Sequence, residues 1–229
     1  AAGHDVRVLL PRYAHIPTPR GARHIVQGRG GPFVLAEAEP EPLAEQAAPR
    51  SPRPRILLLD LGDGTGDTIY TGDDRDLGRF LHLCAAAVAL SADTWQPDIV
   101  HCHDWHTALT PVLQRLEPRS SAPSVLTLHN VGYQGVFAAT AMSGQGFGWV
   151  EQVLPADASV GGYTNLLRAG ICPADRVTTV SPTYADEIRQ PEFGMGLQDV
   201  LGARGGHLIG ILKGVDYGVW SPDRAPTRR

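Results

Sequence analysis

The sequence predicts an α/β fold, a parallel sheet flanked by helices, on three observations. Short aliphatic and β-branched runs recur at Val6–Leu10, Ile56–Leu59, Asp98–Cys102, Val125–Leu128, Val177–Val180 and Leu208–Leu212. Most are apolar on both faces, as strands covered on both sides of a parallel sheet must be. Helical patterns lie between several of them, and alternating strands and helices imply right-handed crossovers.

The helices follow from spacing and caps. Leu77, Phe80, Leu81, Cys84 and Val88 recur at three- and four-residue steps and give one apolar face. Trp105–Leu116 reads as a helix that Pro111 kinks. Ser181-Pro182 starts another, since serine caps free amides and proline fits the first turn. Residues 36–55 are rich in Glu, Ala, Pro and Arg without periodicity, and predict an exposed loop. Residues 138–160 predict a long loop with a short helix. The opening Ala1-Ala2-Gly3 has the look of a helix end, and the polar tail after Arg224 carries no closing element, so the chain is expected to be cut at both ends.

Composition excludes some classes. The chain has 229 residues, 42% hydrophobic and 19% charged, with a net charge of −4. Its basic residues are dispersed and Lys213 is the sole lysine, so neither a nucleic-acid surface nor a membrane-binding patch is expected. No apolar run is long enough to span a bilayer. Three widely spaced cysteines, Cys84, Cys102 and Cys172, predict reduced thiols and a cytoplasmic setting.

Polar clusters follow the strands. His101, His103, Asp104 and His106 follow the third run, His129 and Asn130 the fourth, Ser181 the fifth, and Gly214 and Asp216 the sixth. In a parallel sheet these positions share the carboxyl-end rim, where open α/β folds bind ligands. His101-Cys102-His103-Asp104-Trp105-His106 also carries zinc-ligand chemistry, which would make the protein a metal-dependent hydrolase using His101, His103 and His106. Against it, Asp104 points off the face that His101 and His103 share along a strand. Gly62-Asp63-Gly64-Thr65-Gly66 lacks the glycine spacing of a dinucleotide loop and reads as a turn. After Leu128, His129-Asn130-Val131-Gly132 is either a capped turn or a loop passing close to a ligand.

Six blocks in order resemble the glycogen/starch synthases that use ADP-glucose, glycosyltransferase family 5. They are residues 3–13, Pro97–His106, Thr127–Phe137, Asn165–Ile171, Ala174–Ala185 and Leu212–Asp216, with Trp220-Ser221-Pro222 beyond. The resemblance implies a Rossmann-like sheet forming the acceptor-side, N-terminal domain of a two-domain GT-B enzyme, spanning residues 1–229. It implies transfer of glucose from ADP-glucose to the non-reducing end of an α-1,4-glucan with retention, using no cofactor and no metal. His129 and Asp104 would be catalytic; His106, Asn130, Tyr70, Lys213 and Asp216 would bind substrate. The family's Lys-x-Gly-Gly-Leu loop and its nucleotide-binding domain fall outside the chain, so the chain alone is expected to be inactive. Lys213 stands where the family usually has Asn, which leaves open a divergent enzyme using another nucleotide-sugar. A non-catalytic glucan-binding module is a further alternative.

Overall fold

The computed structural model describes residues 3–17, 19–38, 54–62, 66, 68–93 and 95–215. The chain starts with strand β1 (Arg7–Pro11), a hairpin of β2 (Arg23–Gly28) and β3 (Gly31–Ala38), and β4 (Arg55–Asp60). β1 and β4 pair in parallel, whereas β3 runs antiparallel to both β4 and β2. This mixed sheet has the order β1-β4-β3-β2.

Helix α1 (Asp74–Ser91) follows, capped by Asp73, whose side chain accepts from the Arg75 amide. Then come β5 (Val100–His103), α2 (Asp104–Thr107), α3 (Thr110–Gln114) and β6 (Ser124–Leu128). A small antiparallel sheet is formed by β7 (Val136–Ala138), β8 (Ser159–Val160) and β9 (Tyr163–Asn165), with α4 (Ala141–Gly144) between the first two. The chain continues with α5 (Leu166–Ile171), β10 (Arg176–Thr179), α6 (Pro182–Glu187), α7 (Gln198–Ala203) and β11 (Leu208–Gly210). The second large sheet is parallel throughout, in the order β11-β10-β6-β5.

The α/β class, a parallel sheet flanked by helices and all six expected strands are present. The strands fall into two sheets divided between β1 and β5, and the first carries an antiparallel hairpin. That hairpin turns at Gly30 and Gly31, both at positive φ (98° and 127°), which glycine adopts without a Cβ clash. The expected loop at 36–55 is also corrected at both ends. Residues 36–38 finish β3, with Ala36 buried, and Arg55 opens β4; residues 39–53 lie outside the described residues. The helix expected over Trp105–Leu116 is two short helices, because Pro111 can only occupy the first turn of α3. The 138–160 region holds the expected short helix, but also strand β8 and two 3₁₀ turns.

α1 carries the core. Leu77, Phe80, Leu81, Cys84 and Val88 are buried as their spacing predicts. They join one apolar cluster with Leu57 and Leu59 of β4, Cys102, and Leu126 and Leu128 of β6. α1 packs against β1 and β2 on one side of the divide and against α2 and α3 on the other. A cleft between the β1 and β5 edges is lined by Arg7, Leu9, Val100 and Cys102 and by Leu83 and Leu90 of α1. The Ser181 cap forms as expected, its hydroxyl accepting from the Tyr184 amide at 3.0 Å.

Candidate active site

The rim of the second sheet holds two adjoining groups of side chains. The first lines a cavity of about 570 Å³ built from Tyr70, Gly72, Asp76, Asp104, Trp105, His106, Asn130 and Tyr133. The second is a row of rings and one ammonium: His101, His103, His129 and Lys213.

Asp104 joins them. It has φ 52°, a left-handed backbone that few non-glycine residues adopt, at the point where β5 becomes α2. Its Oδ1 accepts from the His129 backbone amide at 2.7 Å, tying the end of β5 to the end of β6. The left-handed step ends the strand alternation, so Trp105 turns inward and packs on Phe80 at 5.0 Å between ring centroids. Gly135 lies against the Trp105 indole at φ 62°; any Cβ there would overlap the ring. This requirement accounts for the second glycine of Gly132-Tyr133-Gln134-Gly135.

His106 lines the cavity, half-buried, with its ring 4.3 Å from Trp105, 4.6 Å from Phe80 and 5.3 Å from Tyr70. Burial pushes its imidazole below the ordinary value, so it is neutral near pH 7. Its Nε2 is buried away from the cavity and has no hydrogen-bond partner among the described residues, so other atoms of the ring line the cavity. Tyr70 is exposed at the cavity mouth. Asn130 is both a capped turn and a cavity residue: its Oδ1 accepts from the Gly132 amide at 2.9 Å.

Tyr70 is held by two residues that sequence reasoning missed. Asp76 and Arg79, buried in α1, form an ion pair at 3.1 Å. Asp76 also accepts from the Thr71 and Gly72 amides (2.8–3.0 Å) and from the Thr71 hydroxyl. Arg79 donates to the Ile69 carbonyl at 2.6 Å. The available signal was two opposite charges three residues apart inside an apolar helical face.

His129 lies at the same rim as Asp104 and His106 but does not line their cavity. His129 Nε2 lies 3.1 Å from His103 Nδ1, and its Nδ1 lies 2.8 Å from Lys213 Nζ. His101 stacks on His103 at 4.3 Å, as two residues on one strand face should, and its Nε2 lies 2.7 Å from the Thr127 hydroxyl. His106 points the other way, into the cavity, and does not join His101 and His103. Among the described residues no group of three or more His, Cys, Asp or Glu is arranged to hold a metal ion. Lys213 is placed beside His129 rather than in the cavity, and Asp216 lies outside the described residues.

His103 is crowded between His101 and His129. Burial of its ring, then the neighbouring imidazoles, lower its pKa to about 4. A folded value below the ordinary 6.5 means that only the unfolded chain takes the proton between those values. Stability is therefore expected to be complete above about pH 6.5 and to fall as pH drops toward about 4. Urea midpoints across that window measure it, and His103→Gln should flatten the slope.

The family model for the starch synthase catalytic domain matches residues 1–203. The chain belongs to the starch synthase catalytic-domain family. It is 37% identical to a glycogen synthase of Cereibacter sphaeroides over 97% of this chain and 47% of that protein. It is 38% identical to glycogen synthase 1 of Geobacter sulfurreducens, over 98% and 47%. Its fold is similar to the catalytic domain of starch synthase IV from Arabidopsis thaliana, a structure bound to ADP and acarbose, with a TM-score of 0.76 and 28% identity over 98% of this chain and 48% of that one. The chain spans about half the length of these relatives. Among the described residues no helix is long and apolar enough to cross a membrane.

Proposed function

We propose that this chain is the glucan-acceptor half of a cytoplasmic retaining glucosyltransferase that extends an α-1,4-glucan from ADP-glucose. The observation that carries the reading is the cavity at the strand ends. Its volume of about 570 Å³ is within the range of small-molecule sites. Its chemistry suits a sugar: Tyr70 and Tyr133 offer ring faces to C–H groups, and Asp104, His106 and Asn130 offer polar atoms to hydroxyls. Membership of the family and the ADP and acarbose of the Arabidopsis structure support the substrate class.

Transfer develops positive charge at the anomeric carbon and negative charge on the departing diphosphate. In this reading Asp104 holds His129 against the reacting sugar through the backbone amide, and the cavity orients the acceptor. No metal or cofactor enters this reading.

The test uses the full-length protein with ADP-glucose and a maltooligosaccharide. Elongation with α-linked product by proton NMR is expected, and His106→Ala should raise the acceptor KM about tenfold, the worth of one hydrogen bond. Absence of elongation with ADP-glucose overturns the reading; elongation with only another nucleotide-sugar overturns the donor.

A further inference from the structure

We propose that Lys213 is a positioning residue that fixes the tautomer and orientation of His129. The inference rests on the reading above only in giving His129 a purpose; the contact itself is independent of it.

The argument is one of donors and acceptors. Lys213 Nζ lies 2.8 Å from His129 Nδ1. An ammonium has three donors and no acceptor, so Nδ1 must present its lone pair. A neutral imidazole that accepts at Nδ1 carries its proton on Nε2. That nitrogen lies 3.1 Å from His103 Nδ1, which can only be the acceptor. His103 meets the demand because crowding and burial keep it neutral. The opposite tautomer would set an N–H against the ammonium and break the Lys213 contact, whereas a neutral His103 could meet either tautomer by moving its own proton, so Lys213 is what decides between them. The direction is thus Lys213 to His129 to His103.

Orientation follows from the same contacts. One ring nitrogen is held from β5, the other from the segment after β11, and the backbone amide by Asp104. The two ring contacts, from two places in the chain, leave the imidazole little freedom about its side-chain bonds, and the amide contact fixes the backbone beneath it. Lys213 is exposed, and holding its long side chain costs conformational entropy that the contact offsets. It is also the chain's sole lysine, so no other lysine can take its place.

The experiment is a long-range proton–nitrogen correlation spectrum of the 229-residue chain with labelled histidine near pH 7.5, assigned by single histidine substitutions. The expected spectrum has His129 Nδ1 at an unprotonated shift and Nε2 at a protonated one. Lys213→Met, which keeps the stem and removes the donors, should move both nitrogens toward a mixture of tautomers. Lys213→Arg, which keeps a donor, should retain the parent pattern. A protonated Nδ1 in the parent chain, or a Met variant with unchanged nitrogen shifts, overturns the proposal. Far-UV circular dichroism should be the same in all three, since Lys213 is exposed. The readout needs no sugar transfer, so a failed transfer assay leaves it standing, and its own failure leaves the transfer reading untouched.

Discussion

Asp76→Ala is expected to lower the unfolding free energy by about 3–5 kcal/mol, the range for breaking one side of a buried ion pair. Both partners are almost fully buried, with side chains 4% exposed for Asp76 and 2% for Arg79. Removing the carboxylate leaves a cation in the interior and strips the Thr71 and Gly72 amides and the Thr71 hydroxyl of their acceptor. Each of those groups then adds a desolvation cost of its own. Urea unfolding followed by circular dichroism measures the change. Asp76→Asn should fall between, because its carbonyl still accepts while the charge is gone. A loss below 1 kcal/mol in the alanine variant would show that the pair is a bystander. The same substitution releases the 69–73 segment, so Tyr70 should lose its place at the cavity mouth and the full-length variant should bind acceptor more weakly.

His129→Ala in the full-length protein is expected to lower kcat by about 100- to 1,000-fold, the cost of removing one preorganised polar group from a transfer site. The expectation follows from how firmly the ring is placed, with both nitrogens and the backbone amide engaged. The residue is half-exposed at the rim, so thermal stability should change little, which separates a catalytic loss from an unfolding one. Steady-state rates with ADP-glucose and a maltooligosaccharide decide it. A variant within tenfold of the parent would remove His129 from the reaction.

Much of this was legible in the residues. The six strands were visible because each is short and apolar, and the last four because polar residues follow them at one rim. α1 was visible because Leu77, Phe80, Leu81, Cys84 and Val88 mark one face. The β2–β3 hairpin was not, because Arg23-His24-Ile25 alternates poorly and Ile25 is itself exposed; pairing with β4 and burial of Val26, Phe33 and Leu35 in the core hold it there. Asp104, His106 and Asn130 were placed together from their positions after strands and Tyr70 from the resemblance, and the four line one cavity. The side-chain direction of His129 was not legible, since one backbone torsion at Asp104 and a lysine 84 residues away decide it. Asp76 and Arg79 were passed over because charges on a helix usually face water, and only packing distinguishes a buried pair from a solvated one.

The divide between β1 and β5 has a consequence for how the molecule opens. Among the described residues no backbone hydrogen bond crosses it, and helix α1 is what packs on both sides. The eight cavity residues all come from α1, the turn before it, or the parallel sheet and its connections. The mixed sheet can therefore fray as a cooperative unit of its own, with its amides trading hydrogen for deuterium ahead of those in β6 and β10, while the sugar pocket keeps its shape.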